Sequence, residues 1–139
     1  MLPKHDAKSL FEYYAANAEC FHRIILIPSV RDLLERVYGK LLQRQPVESS
    51  HASLLLSIFA SSAYDWQRDA TKAAIFWSKA ALDVLEHSRR TGRGLLEDVQ
   101  ASIILLFLIY KNEGFSIRCR YQARLLYLRH RYRIDIVLN

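Results

Sequence analysis

The sequence predicts an all-α protein of about six helices packed as antiparallel helical hairpins. Three observations predict it. Apolar residues in the broad sense make up 51% of the 139 residues, enough for a real core, while only four Gly and three Pro interrupt the chain. Apolar side chains recur at spacings of three and four rather than two. Breakers fall between those periodic stretches, at Pro28, Pro46, Thr91-Gly92-Arg93-Gly94 and Glu113-Gly114-Phe115-Ser116.

The first helix is expected from about Ala7 to Ile27, capped by Asp6, with Leu10, Tyr14, Ala18, Phe21 and Ile25 on one stripe. Pro28 ends it, because its ring disfavours helix in the preceding residue. Ser29 then caps a second helix with Asp32 as partner, and Val30, Leu33, Leu34, Val37, Tyr38, Leu41 and Leu42 form its seam. Gly39 weakens that helix by up to about 1 kcal/mol relative to Ala.

A third helix covers roughly Ser50 to Trp66, small on one side (Ala52, Ser53, Ser57, Ala60, Ser61) and large on the other (Leu55, Phe59). A fourth runs from about Asp69 to Arg90, with Ala73, Phe76, Trp77, Ala80, Leu82 and Leu85 as its apolar set. A fifth, Leu95 to Asn112, begins with Glu97 and Asp98, which favour the positive helix end. Its middle, Ile103 to Ile109, is apolar all round and is expected to be the most buried element. A sixth runs from Ile117 to about Tyr132, with Ile117, Tyr121, Leu125, Leu128 and Tyr132 on one face. Helices three and four, then five and six, read as hairpins, so a helical-repeat scaffold is a second architecture.

The length suits one domain, 1–139, all-helical throughout. No secretory signal opens the chain. The longest apolar stretch, Ala101 to Tyr110, falls short of the about 20 residues a membrane span needs. Two cysteines, Cys20 and Cys119, make no disulfide framework and fit a reducing compartment. No metal site is expected: Cys20 and His22 have no second ligand pair nearby, and Cys119 and His130 stand apart. A binuclear zinc cluster needs six cysteines in a short span, so that module is absent from this sequence.

Catalytic constellations are equally missing. Glu86 and His87 are sequence neighbours that point apart on a helix, and Glu97-Asp98 reads as a helix start. No serine sits in a nucleophile elbow. Thr91-Gly92-Arg93-Gly94 follows a helix and has no phosphate-loop lysine. The chain is expected to be no enzyme and to carry no cofactor.

The charge is the remaining signal. The net charge is +6, and the six arginines Arg118, Arg120, Arg124, Arg129, Arg131 and Arg133 account for it, since the other basic and acidic residues cancel at 14 each. Interleaved with Tyr121, Tyr127 and Tyr132, they form a candidate basic contact surface for phosphates. An amphipathic helix with a solvated polar face is the preferred reading, because like charge attracts without reading bases.

Several strings resemble the fungal-specific transcription factor domain, the middle homology region of fungal binuclear zinc-cluster transcription factors. They are His22-Arg23-Ile24-Ile25-Leu26-Ile27-Pro28-Ser29, then Val37-Tyr38-Gly39-Lys40 with Gln45-Pro46-Val47, then Ala52 through Ala60, Trp77 through Glu86, Leu96 through Ala101, and Glu113-Gly114-Phe115-Ser116. Their order and spacing carry the resemblance up to about Ser116. Leu26 departs from it, since many members have His there. Beyond Ser116 the Arg- and Tyr-rich stretch departs too, with only Arg133-Ile134-Asp135 echoing the family.

The resemblance implies the N-terminal portion of an all-helical regulatory domain, non-enzymatic, nuclear, without cofactor. Its partners would be the rest of its own domain or other transcription proteins, with DNA contacted through a module elsewhere and no membrane involved. Ile103 to Ile109 and Ile136-Val137-Leu138 are expected to leave apolar surface open to self-association. A helical-repeat interaction scaffold and a nucleic-acid binder using the arginine helix stand as alternatives.

Overall fold

A computed structural model describes residues 2–17, 24–66, 71–90, 96–111 and 122–129. The fold is all-α. Five helices follow in order: α1 (Lys4–Asn17), α2 (Ile27–Leu42), α3 (Ser49–Trp66), α4 (Thr71–Arg90) and α5 (Leu96–Lys111). Residues 122–129 are helical as well, and their Ala123 and Leu126 join the common core.

α1 starts one turn earlier than the Asp6 cap suggested. The Ala7 amide donates to the Pro3 carbonyl at 3.0 Å, so Pro3 stands just before the helix, and Asp6 lies in the first turn, where its charge meets the helix dipole. Its far end also differs: residues 24–26 are not helical, so the first helix does not continue to Ile27. Leu26 is extended, with φ −92° and ψ 105°, and no side chain caps α2. Pro28 therefore opens α2 rather than closing α1, and Ser29 lies inside the helix. The physical reason is that a first-turn residue has no use for its N–H, and the proline ring presets φ near the helical value.

α2 ends in a Schellman motif. The Arg44 amide donates to the Leu41 carbonyl at 3.1 Å and the Gln45 amide to Lys40 at 2.8 Å, while Arg44 adopts a left-handed φ of 55°. Pro46 follows, at a position common after such a cap.

α3 is the centre of the structure. It packs against α4 most extensively, then α5, α1 and α2. Every residue from Ser53 to Ala60 is buried, on all sides of the helix. The expectation that α5 is the most buried element is therefore corrected: Phe107 is 42% exposed and Tyr110 51%. Size explains the reversal. The small residues Ser53, Ser57 and Ala60 let neighbouring helices approach α3 closely, while Leu54, Leu55, Ile58 and Phe59 fill the space between them. Two of its buried hydroxyls are satisfied within the helix, Ser57 donating to the Ser53 carbonyl at 2.7 Å and Ser53 to the Ser50 carbonyl at 2.9 Å.

The core face of α4 is Ala74, Ser78, Ala81, Leu82, Leu85 and Ser88. Ala73 and Phe76, expected in that set, are exposed, and Trp77 and Ala80 sit at its margin. The true face is built on small residues, and the large aromatics drew the sequence phase away from it. A central helix touched by four others also differs from a solenoid, in which each unit meets only its neighbours.

Candidate functional site

Three places gather chemistry. The first is a polar seam where the start of α3, the end of α4 and the start of α5 meet. The Ser88 hydroxyl donates to a carboxylate oxygen of Asp98 at 2.9 Å, and Ser50 Oγ lies 3.4 Å from Ser88 Oγ. All three side chains are buried. Beside them, His51 Nε2 lies 3.8 Å from Glu48 and 3.9 Å from Glu97. A serine nucleophile needs a base on its hydroxyl and an open approach. Here the serines meet a carboxylate and each other inside the core, and the imidazole faces carboxylates instead. The seam is a lock on three helix ends.

The second place joins α1 to α2. Glu35 takes Lys4 and Lys8 at 2.7 Å each, and Arg31 forks onto both oxygens of Glu12 at 2.9 and 3.0 Å. The hydrogen bonds from Lys4 and Lys8 hold the Glu35 carboxyl down at about 2. Arg31 likewise lowers Glu12 through its hydrogen bond, and Glu12 raises Arg31. The Arg31 guanidinium also stands 5.8 Å over the Phe11 ring. The Tyr38 hydroxyl donates to the Leu2 carbonyl at 2.7 Å, and burial first, then the Asp6 charge, pushes its pKa up. The ion pairs are solvent-exposed, and with the Tyr38 bond they close into a clasp. A nearby depression is lined, among the described residues, by Ser29, Asp32, Glu35 and Arg36 of α2.

The third place is apolar. Leu96, Ile103, Phe107 and Tyr110 follow one another at spacings of seven, four and three, a single face of α5. Leu96 is 60% exposed, Phe107 and Tyr110 about half, and Ile103 is partly buried. An amphipathic helix of a closed domain would carry polar residues there. The sequence had pointed to Ile103 to Ile109 for open apolar surface; within that stretch Phe107 is exposed and Ile103 and Leu106 are partly buried. Residues 136 to 138 lie outside the described residues.

Of the six arginines, Arg124 and Arg129 are described, both exposed on the 122–129 helix, with Leu128 exposed between them. Arg118, Arg120, Arg131 and Arg133 lie outside the described residues, as do Cys20, Cys119, His22 and His130. Among the described residues, no group of three or more His, Cys, Asp or Glu is placed to hold a metal ion. No described helix is long and apolar enough to cross a membrane. The seam was missed from sequence because Asp98 reads as a helix-start charge; buried serines at 50 and 88 gave no signal of their shared partner.

Comparison with known proteins finds fungal transcription factors among the relatives of this chain. The chain is 43% identical over 130 residues to the probable transcription factor lepB of Aspergillus flavus, covering 85% of this chain and 23% of that protein. It is 28% identical over 132 residues to transcription factor TAS2 of Pyricularia oryzae, covering 85% of this chain and 17% of the relative. A 65-residue stretch, 46% of this chain and 10% of the relative, is 37% identical to the agnestins biosynthesis cluster transcription factor AgnL11 of Paecilomyces divaricatus. The chain thus spans less than a quarter of the length of each. No family model matches the chain, and no solved structure matches it. The resemblance drawn from the residues is borne out to this extent: the curated relatives are fungal transcription factors.

Proposed function

We propose, from the premise that this chain is a fungal transcription factor segment, that it is a non-enzymatic transcription-regulatory unit acting in the nucleus through helix packing. The described helices form one unit, the front portion of a regulatory domain. The outward face of α5 packs against the remainder of that domain or against other transcription proteins. The observation that carries this is the apolar stripe of exposed Leu96, Phe107 and Tyr110 with partly buried Ile103, on a helix whose opposite side is anchored in the core. An exposed apolar stripe on a rigid helix is the groundwork of a helix-packing interface.

The test joins the full chain to a heterologous DNA-binding module in a fungal reporter strain. Transcription changes with the chain present, and Phe107→Glu with Tyr110→Glu removes the change while far-ultraviolet circular dichroism stays the same. A reporter indifferent to the chain, or equally responsive to the double variant, overturns the proposal.

A further inference from the structure

A second exposed face, on α4, has a different chemistry. The core face of α4 centres on Ala74, Ser78, Ala81 and Leu85. At about 100° per residue, Lys72, Phe76, Lys79 and Asp83 fall together on the side opposite that core face. Solvent-facing positions call for polar groups, and Lys72, Lys79 and Asp83 supply them. Phe76 does not, and it is 64% exposed.

The ring of Phe76 is braced. It meets Trp77 edge to face, with centroids 5.2 Å apart and planes at 78°, and Trp77 packs against the core. The residues one turn away on either side, Ala73 and Ala80, are too small to cover it. Lys72 and Lys79 flank it at i−4 and i+3, both exposed. Neither lysine makes an ion pair with a described residue. A fixed aromatic knob between two uncommitted ammonium groups has the outline of a binding hot spot: an apolar anchor with charges at its rim.

We propose that this face docks an acidic amphipathic helix of another protein. An aliphatic or aromatic side chain of that partner rests on Phe76 over the shallow notches at Ala73 and Ala80, and its carboxylates reach Lys72 and Lys79. Charge complementarity selects this occupant. A second copy of the chain would bring the same lysines against these lysines if Phe76 met Phe76 across a two-fold axis. Single-stranded nucleic acid needs a continuous basic track beneath its stacked bases, and Asp83 interrupts this one. The surface is separate from the α5 stripe and does not rest on it.

The experiment is a titration of the full chain with a synthetic Glu-rich helical peptide bearing leucines at i and i+4. The chain has two tryptophans, so Trp66→Phe leaves Trp77, in contact with Phe76, as the sole reporter. Isothermal calorimetry on the unaltered chain gives an independent reading should that variant not fold. Saturable binding that weakens with salt is expected. Phe76→Ala weakens it at least about tenfold, and Lys72→Glu with Lys79→Glu abolishes it; both variants alter exposed side chains and keep the helical signal. Phe107→Glu leaves the affinity unchanged, which separates this surface from the α5 face. No saturable binding, Phe76→Ala binding as the parent does, or a single-stranded oligonucleotide displacing the peptide at lower concentration overturns the proposal.

Discussion

Replacing Ser88 by Ala removes a hydroxyl that donates to the buried Asp98 carboxylate at 2.9 Å. Replacing Ser78 by Ala, earlier on the same face of α4, removes a buried hydroxyl with no hydrogen-bond partner. The substitution, the helix and the burial are the same, so the helix-propensity gain of about 0.5 kcal/mol cancels between the two variants. What remains is hydrogen bonding. A bond to a charged group contributes about 1.5–3 kcal/mol, so Ser88→Ala should destabilise by about 1–2.5 kcal/mol after the propensity gain. A buried hydroxyl without a partner carries a desolvation penalty of about 1–3 kcal/mol, so Ser78→Ala should stabilise by about 1 kcal/mol even after some lost packing. The gap between the variants is then about 3 kcal/mol, roughly 10 °C in melting temperature for a chain of this size. Urea unfolding followed by circular dichroism at 222 nm, with m unchanged, measures it. If both variants move the same way, or Ser78→Ala is the less stable of the two, the assignment of one serine as bonded and the other as stranded is wrong.

Other consequences are as direct. Phe59→Ala should cost about 3–5 kcal/mol because the ring is fully buried in α3, whereas Phe107→Ala, 42% exposed on α5, should cost about 1 kcal/mol; equal losses in urea titrations would contradict α3 as the centre. Glu35 is held well below its ordinary value of 4.5, at about 2, so its pairs with Lys4 and Lys8 stabilise the fold fully above pH 4.5 and fade as pH falls toward about 2. Glu35→Gln should therefore flatten the stability curve in that window, and an unchanged curve between the two would show the clasp contributes nothing. A Cβ at Gly39 meets no atom within 4 Å, so Gly39→Ala should stabilise by about 0.5–1 kcal/mol in thermal unfolding. Arg44→Gly should relieve its left-handed backbone, for a gain below about 1 kcal/mol.

Helix existence was legible wherever period and punctuation agreed. α3 and α5 begin and end within a residue of the boundaries read from sequence, because Ser49-Ser50 and the Glu97-Asp98 start mark their ends. Where a residue has two meanings, the sequence alone chose wrongly. Pro28 disfavours a helix before it and suits one starting at it, and which of these acts depends on Ile24 to Leu26 leaving the helix. Part of that departure is tertiary: Gln100 on α5 donates to the Ile24 carbonyl at 3.0 Å, a partner 76 positions away. The phase of α4 failed for a related reason. The first half of its core face is Ala74, Ser78 and Ala81, which carry little hydrophobic signal of their own, and Phe76 faces outward.

That failure bears on the function. A helix that turns a phenylalanine away from its own core breaks the agreement between local pattern and global fold, and such breaks concentrate where a surface is used. The same holds on α5, whose all-round apolar middle overshoots what α3 can cover. α3 itself is enclosed along most of its length, so it presents little side-chain chemistry to another molecule. Contacts must then be made by the helices around it. The polar seam fixes the end of α4 against the start of α5 through Ser88 and Asp98, and so both outward faces are carried on elements whose relative placement is locked in the core. A ligand on either face meets a preformed surface and loses little to ordering it.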